Sequence, residues 1–204
     1  MTISQNYITD LSRLLDQLDH SMIDHISNAL LDAWKADRRV LFMGNGGSSS
    51  SVSHIVNDLQ KNIALEAGKP LRALCLTDCS PLMMAWANDT SWDNIFAPQV
   101  ECWAEPGDVV IGVSGSGNSM NVINGILAAN KASAVTIGLA GYAGGKLKQF
   151  AQHCLVVESD NMQRIEDVHM IVLHIVFTQT LESAKAFVQS GRLPATNSEW
   201  KSPE

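Results

Sequence analysis

Two segments of the chain are rich in Gly and Ser, and each has the composition of a loop that binds an anionic group. The first is GNGGSSSS at 44–51, and the second is SGSGNS at 114–119. Glycine lets a backbone approach a ligand closely, and serine hydroxyls can donate hydrogen bonds. Where such a loop leads into a helix, the unpaired N–H groups of the first turn add a partial positive charge. These features predict a phosphate site that needs neither Lys nor Arg.

The two loops do not match the established nucleotide-binding or hydrolase motifs. Ser49 stands where the dinucleotide fingerprint requires its third glycine. The segment GYAGGK at 141–146 is one residue short of a P-loop and is followed by Leu147 instead of Ser or Thr. Ser114 lies in GVSGS, which departs from the G-x-S-x-G motif of serine hydrolases. The loops therefore predict phosphate binding without a nucleotide cofactor and without a nucleophilic serine.

Five short apolar runs alternate with helical stretches and supply the elements that position these loops. The runs are 39–43, 71–77, 109–113, 135–139 and 154–157, and the helical stretches between and after them are 51–65, 81–86, 93–103, 119–131, 145–150 and 163–188. Nearly continuous apolar runs are typical of strands buried on both faces of a parallel sheet. The alternation predicts an α/β fold in three layers. Ligands bind at the carboxyl ends of such strands, which is where both loops begin.

The organisation along the chain predicts one domain with an addition at each end. Residues 5–36 contain no Gly or Pro and space their apolar residues as helices do, with a break near 19–21. They predict an N-terminal helical extension over 1–36, before a sheet-forming domain over 37–190. The remaining residues, 191–204, are polar, include two prolines and predict a loose C-terminal tail.

Composition and charge exclude several classes of protein. The chain has 204 residues and a formal net charge of −7, which argues against a nucleic-acid partner, whose phosphates attract Lys and Arg. No run of about 18 apolar residues exists, so the sequence predicts no membrane span. The N-terminus is polar and unlike a signal peptide. The four cysteines form no CxxC pair and lie mostly in apolar runs, which predicts reduced core thiols in a cytoplasmic protein.

Five segments together resemble the SIS (sugar isomerase) domain family, and most closely its phosphoheptose isomerase branch. In the order of the family they are GNGGSSSSVSH (44–54), AWANDTSWDNIFAPQVE (85–101), PGDVVIGVSGSGNSMNVINGI (106–126), GYAGGKL (141–147) and RIEDVHMIVLHI (164–175). The resemblance implies a flavodoxin-like, five-stranded parallel sheet with an N-terminal helical extension. It also implies a homotetramer with active sites where subunits meet. The implied reaction converts sedoheptulose 7-phosphate to D-glycero-D-manno-heptose 7-phosphate through an enediol, toward lipopolysaccharide or other surface glycans.

The resemblance also implies which residues bind the sugar phosphate. The phosphate-binding positions of the family fall on four residues of the second loop: Ser114, Gly115, Ser116 and Ser119. The positions that contact the rest of the substrate fall on four others: Asn45, Gly46, Ser48 and Asp89. Gly115 stands where relatives commonly have Thr.

The acid–base residues that the resemblance implies lie on two predicted helices. Isomerisation removes a proton from C1 of a ketose and delivers one to C2, so one base and one acid suffice. The base of the family falls on Asp58 and its partner acid on His174. Two further polar positions fall on His54 and Glu166, and in some members these four residues bind zinc. His54 and Asp58 are four residues apart and share one helical face, and two His with two carboxylates suit Zn²⁺ or another divalent cation.

The sequence departs from the family pattern around these residues. Asp58 replaces the usual Glu, and the missing methylene shifts the carboxylate by more than about 1 Å, enough to affect proton transfer. Glu166 replaces the usual Gln and adds a negative charge that favours a bound cation. Asn62 replaces a common Arg, and Gln163 replaces an Asp. These departures predict either an altered substrate or a stronger metal site.

Two alternatives stay open for the function. A non-catalytic SIS module would bind a phosphosugar or a protein partner as a regulator, and loss of the usual Glu favours it. An isomerase of another phosphosugar, such as a hexose or pentose phosphate, would use the same residues. Retention of both candidate His residues favours an enzyme. Structural roles, in the core or between subunits, are expected for four other residues: His169, Trp86, Trp92 and Trp103.

Overall fold

In the computed structural model, which describes residues 1–192, five parallel strands form one sheet between two layers of helices. The strands are β1 (Arg39–Gly44), β2 (Arg72–Cys75), β3 (Val109–Ser114), β4 (Val135–Gly141) and β5 (His153–Val157). The helices are α1 (Ile3–Asp16), α2 (His20–Lys35), α3 (Gly46–Asn57), α4 (Ile63–Ala67), α5 (Ser80–Asp89), α6 (Ala97–Trp103), α7 (Met120–Lys131), α8 (Leu147–Phe150) and α9 (Met162–Gln189). A π-helical turn, Asp58–Asn62, joins α3 to α4, and a 3₁₀ turn, Trp92–Asn94, precedes α6. The predicted three-layer α/β fold with five parallel strands is confirmed.

The strand order β2-β1-β3-β4-β5 places β1 beside β3 in the sheet. Gly44 pairs with Val113 at their carboxyl ends, so the two Gly/Ser segments leave the sheet next to each other. β1, β3 and β4 are buried along nearly their whole length. In β2, exposed and buried residues alternate, and β5 is only partly buried. The expectation that every strand is buried on both faces is therefore wrong for these two, because they form the edges of the sheet.

The first Gly/Ser segment is mostly helical, although its composition predicted a loop. β1 ends at Gly44 and α3 begins at Gly46, five residues before the expected start at 51. Val52, Ile55 and Val56 of α3 are buried, at the spacing of one helical face. Gly and Ser have weak helix propensity, and packing of this apolar face against the sheet overrides it.

The core lies on both sides of the sheet. Helices α2, α3 and α9 cover one face, and α6, α7 and α8 cover the other. Trp34 of α2 and Phe96, just before α6, are among the largest fully buried side chains. Asp19 caps α2 by accepting a hydrogen bond from Met22 N at 3.1 Å, so the break between the first two helices falls where the sequence predicted it.

The longest helix, α9, is apolar enough by length and composition to cross a membrane, a test that core helices of globular domains also pass. It packs along α2 and also contacts α3, α4 and β4. Val168, Val172 and Val176 are buried at one-turn intervals along it. These contacts identify α9 as a core helix of this domain, and they fix the position of the polar residues that it carries.

Two further sequence predictions concern the tail and the cysteines. Most of the predicted C-terminal tail, 193–204, lies outside the described residues. Cys75 is buried and Cys154 is half-buried, whereas Cys79 and Cys102 are exposed. The prediction of core thiols is therefore wrong for Cys79 and Cys102, because the start of α5 and the outer face of α6 leave these side chains at the surface.

Candidate active site

Two asparagines join the Gly/Ser segments at the carboxyl edge of the sheet. Asn45 immediately precedes α3, and Asn121 lies in the first turn of α7. Asn45 Nδ2 donates a hydrogen bond to Asn121 Oδ1 at 2.8 Å, and Asn121 Nδ2 donates one to Asn45 Oδ1 at 2.9 Å. The starts of the two helices are thereby held side by side. Sequence reasoning missed Asn121, whose one signal is a polar residue among the apolar residues of α7.

The second Gly/Ser loop places three serine side chains at the start of α7. Ser114 Oγ donates a hydrogen bond to Ser119 Oγ at 3.1 Å, and Asn118 N donates one to Ser116 Oγ at 3.1 Å. Ser119 is the N-cap residue of α7, but its side chain makes no capping hydrogen bond. Backbone N–H groups of the first turn can therefore serve a bound anion, as they do at many helix starts. This geometry suits a phosphate group.

The glycine-rich segment 141–147, at the end of β4, packs against the second Gly/Ser loop and hydrogen-bonds to its backbone. Gly117 has a φ of +66°, and a side chain there would collide with the carbonyl oxygen of Gly144. Gly141 N donates a hydrogen bond to Gly115 O at 3.0 Å, and Leu147 N donates one to Gly117 O at 2.9 Å. The backbone of the loop is thus held in place before any ligand binds.

Three candidate acid–base residues form a cluster on α3, the π-helical turn and α9. His54 Nε2 lies 3.4 Å from Asp58 Oδ2 and 3.1 Å from His174 Nε2. The two imidazole rings meet edge to face, with 5.2 Å between their centroids. The side chain of His54 is 53% exposed and that of Asp58 is 22% exposed. The structure therefore brings the candidate base and acid together on an open surface, with His54 between them.

The π-helical turn Asp58–Asn62 begins at the candidate base. Asn62 Nδ2 donates a hydrogen bond to Asp58 Oδ1 at 3.2 Å, while Asp58 Oδ2 faces His54. Both carboxylate oxygens of Asp58 thus have a partner. π-Helical turns are rare and are often found at functional sites. Asn62, which the sequence marked only as a departure from the family, is a direct contact of the candidate base.

Glu166 lies outside this cluster. Its carboxylate lies beside Gly47 in the first turn of α3, where a Cβ added to Gly47 would be 3.1 Å from Glu166 Oε1. Glu166 precedes His174 by eight residues on α9, which at 3.6 residues per turn and 1.5 Å per residue separates them by about 12 Å and about 80°. The structure therefore unites three of the four residues expected at the metal site. The fourth is at the start of α3, where a carboxylate interacts favourably with the helix dipole.

The cluster offers ligand atoms that suit a divalent transition metal. One atom each from His54, Asp58 and His174 lies within 4.8 Å of the others. Imidazole nitrogens and a carboxylate oxygen are donors that Zn²⁺ prefers. Three protein ligands leave a position for water or substrate, as in catalytic zinc sites. The residues present therefore fit a catalytic metal site better than a closed structural one.

His169 lies on α9 between the two candidate site residues of this helix but faces the core. It is 1% exposed, and its Nε2 lies 3.2 Å from the carbonyl oxygen of Ala140 in β4. Its Nδ1 is buried with no hydrogen-bond partner among the described residues. Burial lowers the pKa of His169 to about 4, because a charged ring here would lose its hydration. A neutral His169 therefore links α9 to β4, in line with the structural role that the sequence predicted.

The remaining candidate substrate contacts lie around the two loops or apart from them. Ser48, in the first turn of α3, is 7% exposed, and Gly46 starts the same helix with a φ of +52°. Asp89 ends α5 at the surface and accepts a hydrogen bond from Asn88 Nδ2 at 2.8 Å. Within residues 1–192, no hydrogen bond or ion pair links Asp89 to either Gly/Ser segment.

Proteins of known family are similar to this chain over most of its length. The profile of the SIS domain family matches residues 6–141, a range that includes both Gly/Ser segments, His54 and Asp58. The chain is 38% identical over 173 residues to a probable phosphoheptose isomerase of Thermoplasma acidophilum, across 85% of this chain and 94% of the relative. It is 37% identical over 160 residues to a phosphoheptose isomerase of Aquifex aeolicus, across 78% of this chain and 83% of the relative. The chain belongs to the SIS domain family, in its phosphoheptose isomerase branch.

A solved structure extends the similarity of this SIS domain to three dimensions. The phosphoheptose isomerase of Neisseria gonorrhoeae matches it with a TM-score of 0.79 and 26% identity, across 88% of this chain and 94% of that chain. The family inferred from the sequence motifs is thus confirmed. Glu166 and His174 lie beyond the part matched by the SIS domain profile. Helix α9 therefore adds one member of the His–Asp–His cluster from outside that range.

Proposed function

We propose that this enzyme of the phosphoheptose isomerase branch converts sedoheptulose 7-phosphate to D-glycero-D-manno-heptose 7-phosphate, in the cytoplasm. One observation carries the proposal: a carboxylate and two imidazoles, from Asp58, His54 and His174, meet in a chain of this branch. A ketose–aldose isomerase needs a base and an acid near each other, and this cluster supplies both. The similarity to named phosphoheptose isomerases supports the heptose phosphate as substrate.

The phosphate of the substrate binds at the start of α7 in this proposal. The hydroxyls of Ser114, Ser116 and Ser119 and the N–H groups of Met120 and Asn121, in the first turn of α7, hold it without a cationic side chain. The net charge of −7 is therefore compatible with an anionic substrate. The sugar is oriented by four residues: Asn45, Gly46, Ser48 and Asp89.

Asp58 acts as the base and removes the proton from C1 of the ketose. The electrons of the C1–H bond form the C1=C2 double bond of the enediol, and the oxygen at C2 takes a proton from His174. Asp58 then returns its proton to C2, while His174 takes the proton of the hydroxyl at C1 and the aldehyde forms. His54 lies within 3.4 Å of Asp58 and 3.1 Å of His174, so it can pass protons between them. Both residues end in the state in which they began.

We propose Zn²⁺ as the ion that suits this cluster, held by His54, Asp58 and His174. If bound through His54 and His174, a divalent cation would polarise the substrate carbonyl in place of the proton that His174 supplies in the cluster without metal. Glu166 stays outside this ligand set because its carboxylate lies beside Gly47. Zinc content measured by mass spectrometry after loading and dialysis tests the proposal. One ion per chain is expected, and an absence of bound metal at micromolar zinc would contradict it.

We propose that copies of the chain complete each active site, as a homotetramer. The cluster lies on an open surface, and α5 buries none of its residues. Met84 is 62% exposed, Trp92 is 56% exposed and Trp103 is 46% exposed. Exposed apolar side chains of this size are available for contacts between subunits. Light scattering should give four times the chain mass of 22.1 kDa, and a monomer at assay concentration would contradict the proposal.

An isomerase assay on the purified protein tests the central proposal. The protein is incubated with sedoheptulose 7-phosphate, with and without Zn²⁺, and the aldose product is measured by NMR. Conversion by the wild type and its loss in Asp58→Asn and His174→Ala are expected. A panel of pentose and hexose phosphates measures whether the heptose phosphate is preferred. If the protein binds sedoheptulose 7-phosphate but converts it neither with nor without Zn²⁺, it is a regulatory module and the enzymatic proposal is refuted.

A further inference from the structure

We propose that Asn121 is a positioning residue: it fixes the orientation of the Asn45 amide, so that one Asn45 N–H is presented to the sugar part of the substrate. The inference rests on the proposed function and adds to it a residue whose side chain does not itself touch the ligand. Its basis is a chain of hydrogen bonds that begins at the backbone N–H of Val122 and ends at Asn45, one of the residues proposed to orient the sugar.

The first step concerns the orientation of the Asn121 amide. Asn121 Oδ1 accepts a hydrogen bond from Val122 N at 2.8 Å. If the amide turned over, its NH₂ group would face this N–H, and two donors would meet. Asn121 is 1% exposed, so water cannot satisfy the groups that such a turn would leave unpaired. The backbone therefore selects one orientation of Asn121.

The second step passes this orientation on to Asn45. Asn121 Nδ2 donates to Asn45 Oδ1 at 2.9 Å, and Asn121 Oδ1 accepts from Asn45 Nδ2 at 2.8 Å. Because Asn121 is fixed, turning the Asn45 amide over would place its oxygen against Asn121 Oδ1 and its NH₂ group against Asn121 Nδ2. An asparagine amide has two N–H donors, and this pairing uses one of them. The second N–H of Asn45 is therefore available, in a known direction, at a half-buried residue.

The third step is the place of this pair between the two loops. Asn121 is two residues after Ser119, in the helix turn proposed to hold the phosphate, and Asn45 is the N-cap residue of α3. Asn45 makes no side-chain capping bond to α3, so its amide is engaged with Asn121 instead. The bond pair thus sets the distance from the bound phosphate to the sugar donor. Loss of Asn121 should weaken binding of the sugar portion and not of phosphate itself.

Two variants and two ligands test this inference. Asn121→Leu keeps the approximate volume and removes the amide without adding charge, whereas Asn121→Asp keeps an acceptor for Val122 N and so protects the fold. The ligands are inorganic phosphate and a heptitol 7-phosphate, which lacks the carbonyl and cannot isomerise. Titration calorimetry measures both dissociation constants. The negative charge added in Asn121→Asp should weaken binding of both ligands alike, because both carry a phosphate group. The ratio of the two dissociation constants therefore cancels this effect.

The expected result is a change in that ratio. Losing one oriented hydrogen bond should weaken heptitol 7-phosphate binding about tenfold and leave inorganic phosphate binding unchanged. In kinetics, KM for the substrate should rise more than kcat falls. Asn124 lies one turn later on α7 and bonds Asp93 O at 3.0 Å, so Asn124→Leu and Asn124→Asp are matched controls that should leave the ratio unchanged. In an Asn45→Leu background, the change at Asn121 should have no further effect on the ratio.

Other outcomes would overturn the inference in distinguishable ways. An equal loss of affinity for both ligands would mean that Asn121 only holds the second loop together. An unchanged affinity for both would mean that the Asn45 amide does not depend on it. If the wild type bound neither ligand, the proposed phosphate site, and with it the proposed function, would fail first.

Discussion

Replacing His169 with Gln should make the stability of this protein less dependent on pH. His169 is buried and neutral, with a pKa lowered from its ordinary value of 6.5 to about 4. Because the folded pKa lies below the unfolded one, the unfolded chain binds more protons as the pH falls. The stabilisation by neutral His169 is therefore complete above pH 6.5 and is lost between about pH 6.5 and pH 4. Gln keeps an N–H donor for Ala140 O but does not titrate in this range.

The size of the effect follows from the difference between the two pKa values. One pKa unit corresponds to about 1.4 kcal/mol, so a fall from 6.5 to about 4 corresponds to about 3 kcal/mol in total. Roughly 2 kcal/mol of this should be lost by pH 5, where the unfolded His is almost fully charged and the folded one is not. A change of this size is a large fraction of the stability of an ordinary domain.

Urea unfolding at pH 7.5 and pH 5 measures the effect, at one protein concentration because oligomers are stabilised by mass action. The wild type should lose about 2 kcal/mol more than His169→Gln between these pH values. The pKa of His153 is also lowered, mainly by burial and to a smaller extent by the neighbouring His25. Its contribution to the pH dependence is the same in both proteins and cancels in the comparison. His20→Gln, at the exposed start of α2, should behave as the wild type. An equal pH dependence in His169→Gln and wild type would refute the assignment of a buried neutral His169.

Three further predictions concern the cluster and the start of α3. Asp58→Asn should lower kcat by about 10²- to 10⁴-fold in the isomerase assay while heptitol 7-phosphate still binds, and an active variant would remove Asp58 as the base. His174→Ala should abolish stoichiometric zinc in dialysed protein, whereas His20→Ala should retain it, and equal zinc in both would place the ion elsewhere. Gly47→Ala should raise the free energy of unfolding by about 1 kcal/mol in a Glu166→Ala background, because Ala favours a helix over Gly, and by less in the wild type, where the added methyl group contacts the Glu166 carboxylate; equal gains in the two backgrounds would show that this contact has no cost.

The sheet could be predicted because its signals are local. The runs that became β1, β3 and β4 are nearly continuous in apolar residues, since both faces of these strands are covered. The edge position of β2 could not be read in this way, because it depends on strand order and not on the run itself. The start of α3 at Gly46 was missed for a similar reason. Its helical conformation depends on contacts with the sheet, which outweigh the preference of Gly and Ser for loops.

The candidate site divides in the same way between local and long-range features. The spacing of His54 and Asp58 predicts a shared helical face, and the structure agrees. The contact of His54 with His174 depends on how α3 crosses α9, and only the resemblance to a family anticipated it. Asn121 pairs with a residue 76 positions away, so no window of sequence could show it. Glu166 lies on α9 with His174, but the rise and rotation of the helix between them place its carboxylate beside Gly47 at the start of α3 and not in the cluster.

The π-helical turn Asp58–Asn62 has a consequence for how this chain can change in length. A π turn closes a hydrogen bond across one more residue than an α turn does. Removing a residue from an ordinary helix would rotate everything after it by about 100° and expose the buried face of α4. Here a deletion can convert the π turn to an α turn while Ile63 and Ala67 keep their place in the core. A one-residue deletion should therefore be tolerated better in this turn, next to the proposed base, than within α3 or α4.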